Sequence, residues 1–190
     1  MSRTLVLTLL SALLVSCSST QPKSVKSPSA DPAIAAASER IGGNFYSTLE
    51  FSQGSDKLTE SSKIHLKEIH DKVKADQRKV KEIKILAWAD QEYPEVVEND
   101  APAKEIILAN ERAKNIKRYL SKELKTSEDI NYFNMAKRPG TFSTLTKSDD
   151  FEVKRAFERS GATSVRLDDG SVSYSKASKA IIVVDYGDVK

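Results

Sequence analysis

The chain has 190 residues, with 30 Lys and Arg set against 27 Asp and Glu, a formal balance of +3. That balance is too small, and its charges too interspersed, to mark a nucleic-acid partner. A single cysteine rules out an internal disulfide framework, and two histidines without a second thiol leave no zinc ligand set.

Residues 1–16 open with a basic start, continue as the apolar run TLVLTLLSALLV and end on the small Ser16. The run is too short for a membrane-spanning helix, which needs about 20 residues, and has the layout of a secretory signal peptide. Leu14-Val15-Ser16-Cys17 resembles the lipobox of bacterial lipoproteins. The resemblance implies that Cys17 is acylated and becomes the new N-terminus, and that three acyl chains anchor it. One chain alone anchors only marginally. Ser18 stands where the inner-membrane retention signal would place Asp, so the address implied is the outer membrane, at its periplasmic face. Residues 17–40 follow, rich in Ser, Pro, Ala and Lys and without an aromatic residue, and read as the lipidated cysteine and a flexible linker. Within it, AIAAASER has the composition for a helical turn or two.

Residues 41–190 suit one domain. NFYSTLEF (44–51) reads as a strand ended by SQGSD. Thr59 offers an N-cap for a helix with Leu66, Ile69 and Val73 on one face and Ile64 near it. VKEIKILAWA (80–89) is a second strand with Val80, Ile83, Ile85 and Ala87 as core positions, and an acidic loop follows at 91–102. The strongest helix signal is 104–124, where Ile106, Ala109, Ala113, Ile116 and Leu120 form a stripe. INYFNM (130–135) and KAIIVVDY (179–186) are further strands, the last apolar enough to be central. Between them, 136–178 is long for a connection; it is expected to hold a short helix near 148–161 and a hairpin turning at Asp169-Gly170. The order β-α-β-α-β-β predicts an α/β (α+β) sandwich: one mixed sheet with helices on one face, and an insert before the last strand.

Two pieces of this domain carry a resemblance. ILAWAD (85–90) resembles the strand-end motif of OmpA-like peptidoglycan-associating domains, Gly-His/Tyr-Thr-Asp. LANERAKNIKRYL (108–120) resembles the same family's helix motif, matching at Leu108, Arg112, Ala113, Tyr119 and Leu120, with Ile116 for Val. LEFSQGSDKLTESS is similar to the family's first strand and loop, and the lipoprotein front end to its Pal-type arrangement. The resemblance covers roughly residues 45–135 and the last strand. It implies non-covalent binding of peptidoglycan, with Asp90 taking the ammonium of a diaminopimelate side chain, Arg112 its carboxylate, and Trp88 and Leu108 beside them. The sequence departs from the pattern at Ala87 and Ala89, where the motif has Gly and Thr, at Trp88, and at Glu105, where the family tends to have Asn. The linkage implied is outer membrane to cell wall, through the lipid on Cys17, with no cofactor.

Other chemistries are poorly served. His65 and His70 are five apart on a helix, so their rings point roughly 140° apart and cannot share a metal. No Gly-x-Ser-x-Gly turn presents a nucleophile, and no Gly-rich phosphate loop is present. Asp56, Glu60, Asp149, Asp150 and Asp168 lie in polar loops or helix starts, where capping explains them. No enzyme is expected. The competing class is a degenerate OmpA-like interaction module that has lost peptidoglycan and recruits a periplasmic protein partner through 136–178. Phe142, Leu145, Phe151 and Phe157 would then be its apolar anchors. A ligand pocket requires Asp90 and Arg112 close together with accessible heads, whereas a partner surface requires an exposed apolar patch.

Overall fold

The structure, a computed structural model, describes residues 32–91, 101–159, 164–166, 172–174 and 177–187. The segment expected to be a signal peptide, Cys17, most of the acidic loop, Asp168 and the turn expected at Asp169-Gly170 lie outside them. Helix α1 (Pro32–Arg40) leads into β1 (Phe45–Glu50), α2 (Glu60–Ala75), β2 (Val80–Ala87) and α3 (Ala103–Arg118). A π turn, Tyr119–Glu123, ends α3. Then come β3 (Ile130–Asn134), α4 (Thr141–Thr146), α5 (Asp149–Arg159), β4 (Ser164–Arg166), β5 (Val172–Tyr174) and β6 (Lys179–Tyr186).

Four strands form one mixed sheet in the order β1-β6-β2-β3. β6 is antiparallel to both β1 and β2, and β2 is parallel to β3. The apolar reading of residues 179–186 as a central strand therefore holds. β4 and β5 pair as the expected hairpin, apart from the main sheet.

Because side chains alternate across a strand, β2 and β6 each feed two cores. Ile83, Ile85 and Ala87, with Ala180, Ile182, Val184 and Tyr186, face Leu66, Ile69 and Val73 of α2 and Ala113, Ile116 and Leu120 of α3. Thr59 caps α2 as expected: its hydroxyl oxygen accepts the Ser62 N–H at 3.0 Å. The Ser62 hydroxyl in turn donates to the Glu50 carbonyl, tying the helix start to the end of β1. Ile64, expected near this core, is 60% exposed instead.

The second face overturns the expectation of helices on one side only. Leu86, Trp88, Phe133, Met135, Ile181 and Val183 pack there against Val153, Ala156 and Phe157 of α5 and Ile34 and Ala37 of α1. Residues 32–40, expected to belong to the linker, thus form α1 and are part of the packed domain. At its end Gly43 passes so close to the sheet that a Cβ would stand 2.2 Å from Val183 Cγ1. The charged residues of this face are paired: buried Lys84 meets Glu82 at 2.7 Å, and its ammonium donates to the Ile41 carbonyl at 3.1 Å. Glu82 feels burial, which pushes its carboxyl up, but hydrogen bonds from Lys84 and Asn131 hold it below the ordinary value.

Candidate functional site

The first core leaves the ends of β1, β2 and β6 and the middle of α3 converging on one point. Arg112 lies on α3 between Ala109 and Ala113, both fully buried, so the helix backbone sits close to the sheet. Its side chain is itself fully buried and meets Asp90 at 2.6 Å. All three guanidinium nitrogens donate. Nε reaches the Ser55 carbonyl at 2.8 Å, Nη1 the Trp88 carbonyl at 2.9 Å, and Nη2 both the Ser52 carbonyl at 3.2 Å and Asp90 Oδ1. The cation also lies 4.9 Å from the centroid of the Phe51 ring, within cation–π range. A planar fork with several donors can bind several carbonyls of a loop at once, which a lysine ammonium cannot.

Asp90 is the acceptor hub. Its Oδ1 takes Arg112 and the Ser178 hydroxyl, the latter at 2.6 Å, and its Oδ2 takes the Gly54 N–H. Gly54 has φ of +69° with open space around its Cα, so the backbone conformation rather than crowding calls for glycine there. The Asp90 N–H donates to Glu105 Oε2 at 3.0 Å, so the residue that replaces the motif's Asn is buried and holds the strand end. Nearby, Asn115 donates to the Asp56 carbonyl and carboxylate, fixing the other end of the Ser52–Asp56 loop.

Burial of Asp90 by itself pushes its carboxyl up. Hydrogen bonds from Ser178, Arg112 and Gly54 and the charge of Arg112 outweigh that and hold it below the ordinary carboxylate value. The resulting stabilisation is complete above the unfolded-chain Asp value, about 3.9, and is lost as pH falls through the lower folded value. Urea unfolding of wild type and Asp90→Asn, followed from about pH 6 down to about pH 2, should show the gap between them narrow on the acid side. A gap independent of pH would mean that Asp90 is not held ionised.

The structure therefore brings Asp90 and Arg112 together, as the motifs imply, but divides the predicted site. Trp88 is 4% exposed and lies on the opposite face, its ring 6.0 Å from that of Phe157; its carbonyl reaches the site. Leu108 is half-buried one helical turn before Arg112, on the same face of α3. The Arg112 guanidinium, expected to grip a ligand directly, is at 0% exposure, whereas the Asp90 side chain keeps 11%. Sequence reading missed Ser52, Gly54, Ser55 and Ser178. A glycine flanked by serines just after a strand was the one available sign of a special loop, and nothing local marked Ser178. Of the four apolar anchors on 136–178, Phe157 is core, Phe151 is half-buried, Leu145 is 82% exposed and the Phe142 side chain lies outside the described residues. One exposed leucine does not make a docking patch.

Among the described residues no group of His, Cys, Asp and Glu could hold a metal ion, and no helix is long and apolar enough to cross a membrane. A model of the OmpA family matches residues 50–154, more than half of the chain and the whole of the Asp90–Arg112 frame. The chain belongs to the OmpA family, whose domains are peptidoglycan-associating modules of the cell envelope rather than catalysts. No curated protein matches the chain.

Proposed function

We propose that the protein is an outer-membrane lipoprotein that binds peptidoglycan non-covalently and tethers the membrane to the cell wall. The observation that carries the reading is a carboxylate fixed at a strand end within an OmpA-family frame. A carboxylate offers about four acceptor positions. Three on Asp90 are filled by Arg112, Ser178 and Gly54, which leaves one on Oδ2 for the ammonium of a diaminopimelate side chain. Arg112 acts from behind, holding Asp90 and the Ser52–Ser55 backbone in place rather than touching the ligand.

The membrane end of the tether rests on the sequence. A lipid on Cys17 would leave residues 18–31 as the connection to α1, reaching about 50 Å when fully stretched. Such a connection lets the domain meet the wall while its anchor stays in the outer leaflet's inner neighbour, the periplasmic face of the membrane.

The test is sedimentation of the protein with purified, protein-free sacculi, beside Asp90→Asn checked for native circular dichroism. Wild type should pellet with the sacculi, and folded Asp90→Asn should remain largely in the supernatant, at least tenfold weaker, as loss of a charge-assisted contact implies. If wild type also stays in solution, the peptidoglycan reading fails and the protein-interaction reading of the same frame takes its place.

A further inference from the structure

Ser178 is the last residue before β6 and closes the long segment that begins at 136. Its backbone has φ of +57°, a left-handed conformation that residues other than Gly, Asn and Asp seldom adopt. Two backbone bonds hold it there. Its N–H donates to the Ala89 carbonyl at 2.7 Å, and its carbonyl accepts the Phe51 N–H at 2.8 Å. The residue thus joins the ends of β1 and β2 to the start of β6. Glycine could make both of those bonds with less strain.

What glycine could not supply is the hydroxyl, which donates to Asp90 Oδ1 at 2.6 Å. Arg112 reaches the same oxygen from α3, also at 2.6 Å. One oxygen is therefore pinned from two sides, by a helix and by the start of a strand, and the carboxylate plane is set. We infer that Ser178 is a positioning residue for the site: its hydroxyl orients Asp90 so that Oδ2 is presented to a cationic ligand group. The identity of that ligand as a peptidoglycan amine rests on the function proposed above; the orientation of Asp90 does not. The donor also belongs to the set that holds the Asp90 carboxyl below its ordinary value.

The experiment compares wild type, Ser178→Gly and Ser178→Asn in the full chain, kept in detergent. Three readouts are taken: melting temperature, sacculus binding, and the titration midpoint of the Asp90 carboxyl followed by carbon NMR. Ser178→Gly removes the hydroxyl and relieves the strained backbone, so its melting temperature should be equal or higher. Its affinity for sacculi should fall about tenfold, and its Asp90 midpoint should rise towards the ordinary carboxylate value. Ser178→Asn tolerates the left-handed backbone and retains a side-chain donor, so it should recover part of both. Wild-type-like binding by Ser178→Gly overturns the inference, and so does weaker binding with an unmoved midpoint. If wild type does not bind sacculi, the peptidoglycan reading falls and the midpoint alone decides: a rise in Ser178→Gly keeps the positioning role, and no rise ends it.

Discussion

Arg112→Ala should lower the unfolding free energy by about 3–5 kcal/mol, the range for breaking a buried ion pair by removing one partner. Three effects add in the same direction. Asp90, with its side chain only 11% exposed, loses its counter-charge. The carbonyls of Ser52, Ser55 and Trp88 lose their donor. The fully buried volume of the side chain becomes a cavity. Helix propensity works the other way, since alanine is the best helix former and its neighbours Ala109 and Ala113 are already alanines. A loss of this size therefore cannot be blamed on the helix. Arg112→Lys should recover little of it, because a single ammonium cannot span acceptors from two strand ends and a loop. Urea unfolding of the three proteins checks both statements. A loss below about 1 kcal/mol would make the pair an ordinary surface contact and the loop independent of it.

The same residue shows where sequence reading stops. Its place at the edge of the α3 stripe was legible, because helical periodicity is local. Its depth was not. Burial of Arg112 is decided by Ser52 and Ser55, which lie 60 and 57 positions away, and by Asp90. Trp88 illustrates a different limit. Alternation along β2 does place its ring, on the side of Leu86, but β2 ends at Ala87 and the alternation is broken at Asp90, whose carboxylate falls on the side of Ile85 and Ala87. Trp88 and Asp90 were read as neighbours in one site, yet the ring joins Leu86 on the far face while the carboxylate joins α3. The far face itself was hidden by its charges. Glu82 and Lys84 in β2 and Asp185 in β6 look like solvated positions, but Lys84 and Asp185 are buried and Lys84 meets both carboxylates. α1 offered only Ile34 and Ala37 as buried apolar residues within a Ser- and Ala-rich stretch, too few to declare a packed face in advance. The first face, by contrast, was almost fully readable, since Leu66, Ile69 and Val73 and the α3 stripe each keep one period over several turns.

Phe157→Ala should cost about 3–5 kcal/mol, the usual range for emptying a buried aromatic site. Phe157 is 1% exposed and lies against Trp88, with Val153 and Ala156 beside it on α5 and the buried Ile34 and Ala37 of α1 in the same core. These neighbours come from two helices and the sheet, so the space left cannot close by a shift of one element. Phe157→Leu should cost less than about 2 kcal/mol, since most of the volume remains. Trp88 is the only tryptophan in the chain, so its fluorescence reports on this core and follows unfolding in the same experiment. The outcome decides whether α5 is an appendage. A detachable insert would lose Phe157 for well under 1 kcal/mol and leave the Trp88 transition where it was. A loss in the full range makes α5 and α1 the second wall of the sheet. The wall then bears on the site, because the Trp88 carbonyl holds Arg112 from behind. At temperatures where Phe157→Ala is still folded its sacculus binding should match wild type, and it should fall only in step with the folded fraction. A weaker affinity in the fully folded variant would show instead that packing behind Trp88 tunes the geometry of Asp90.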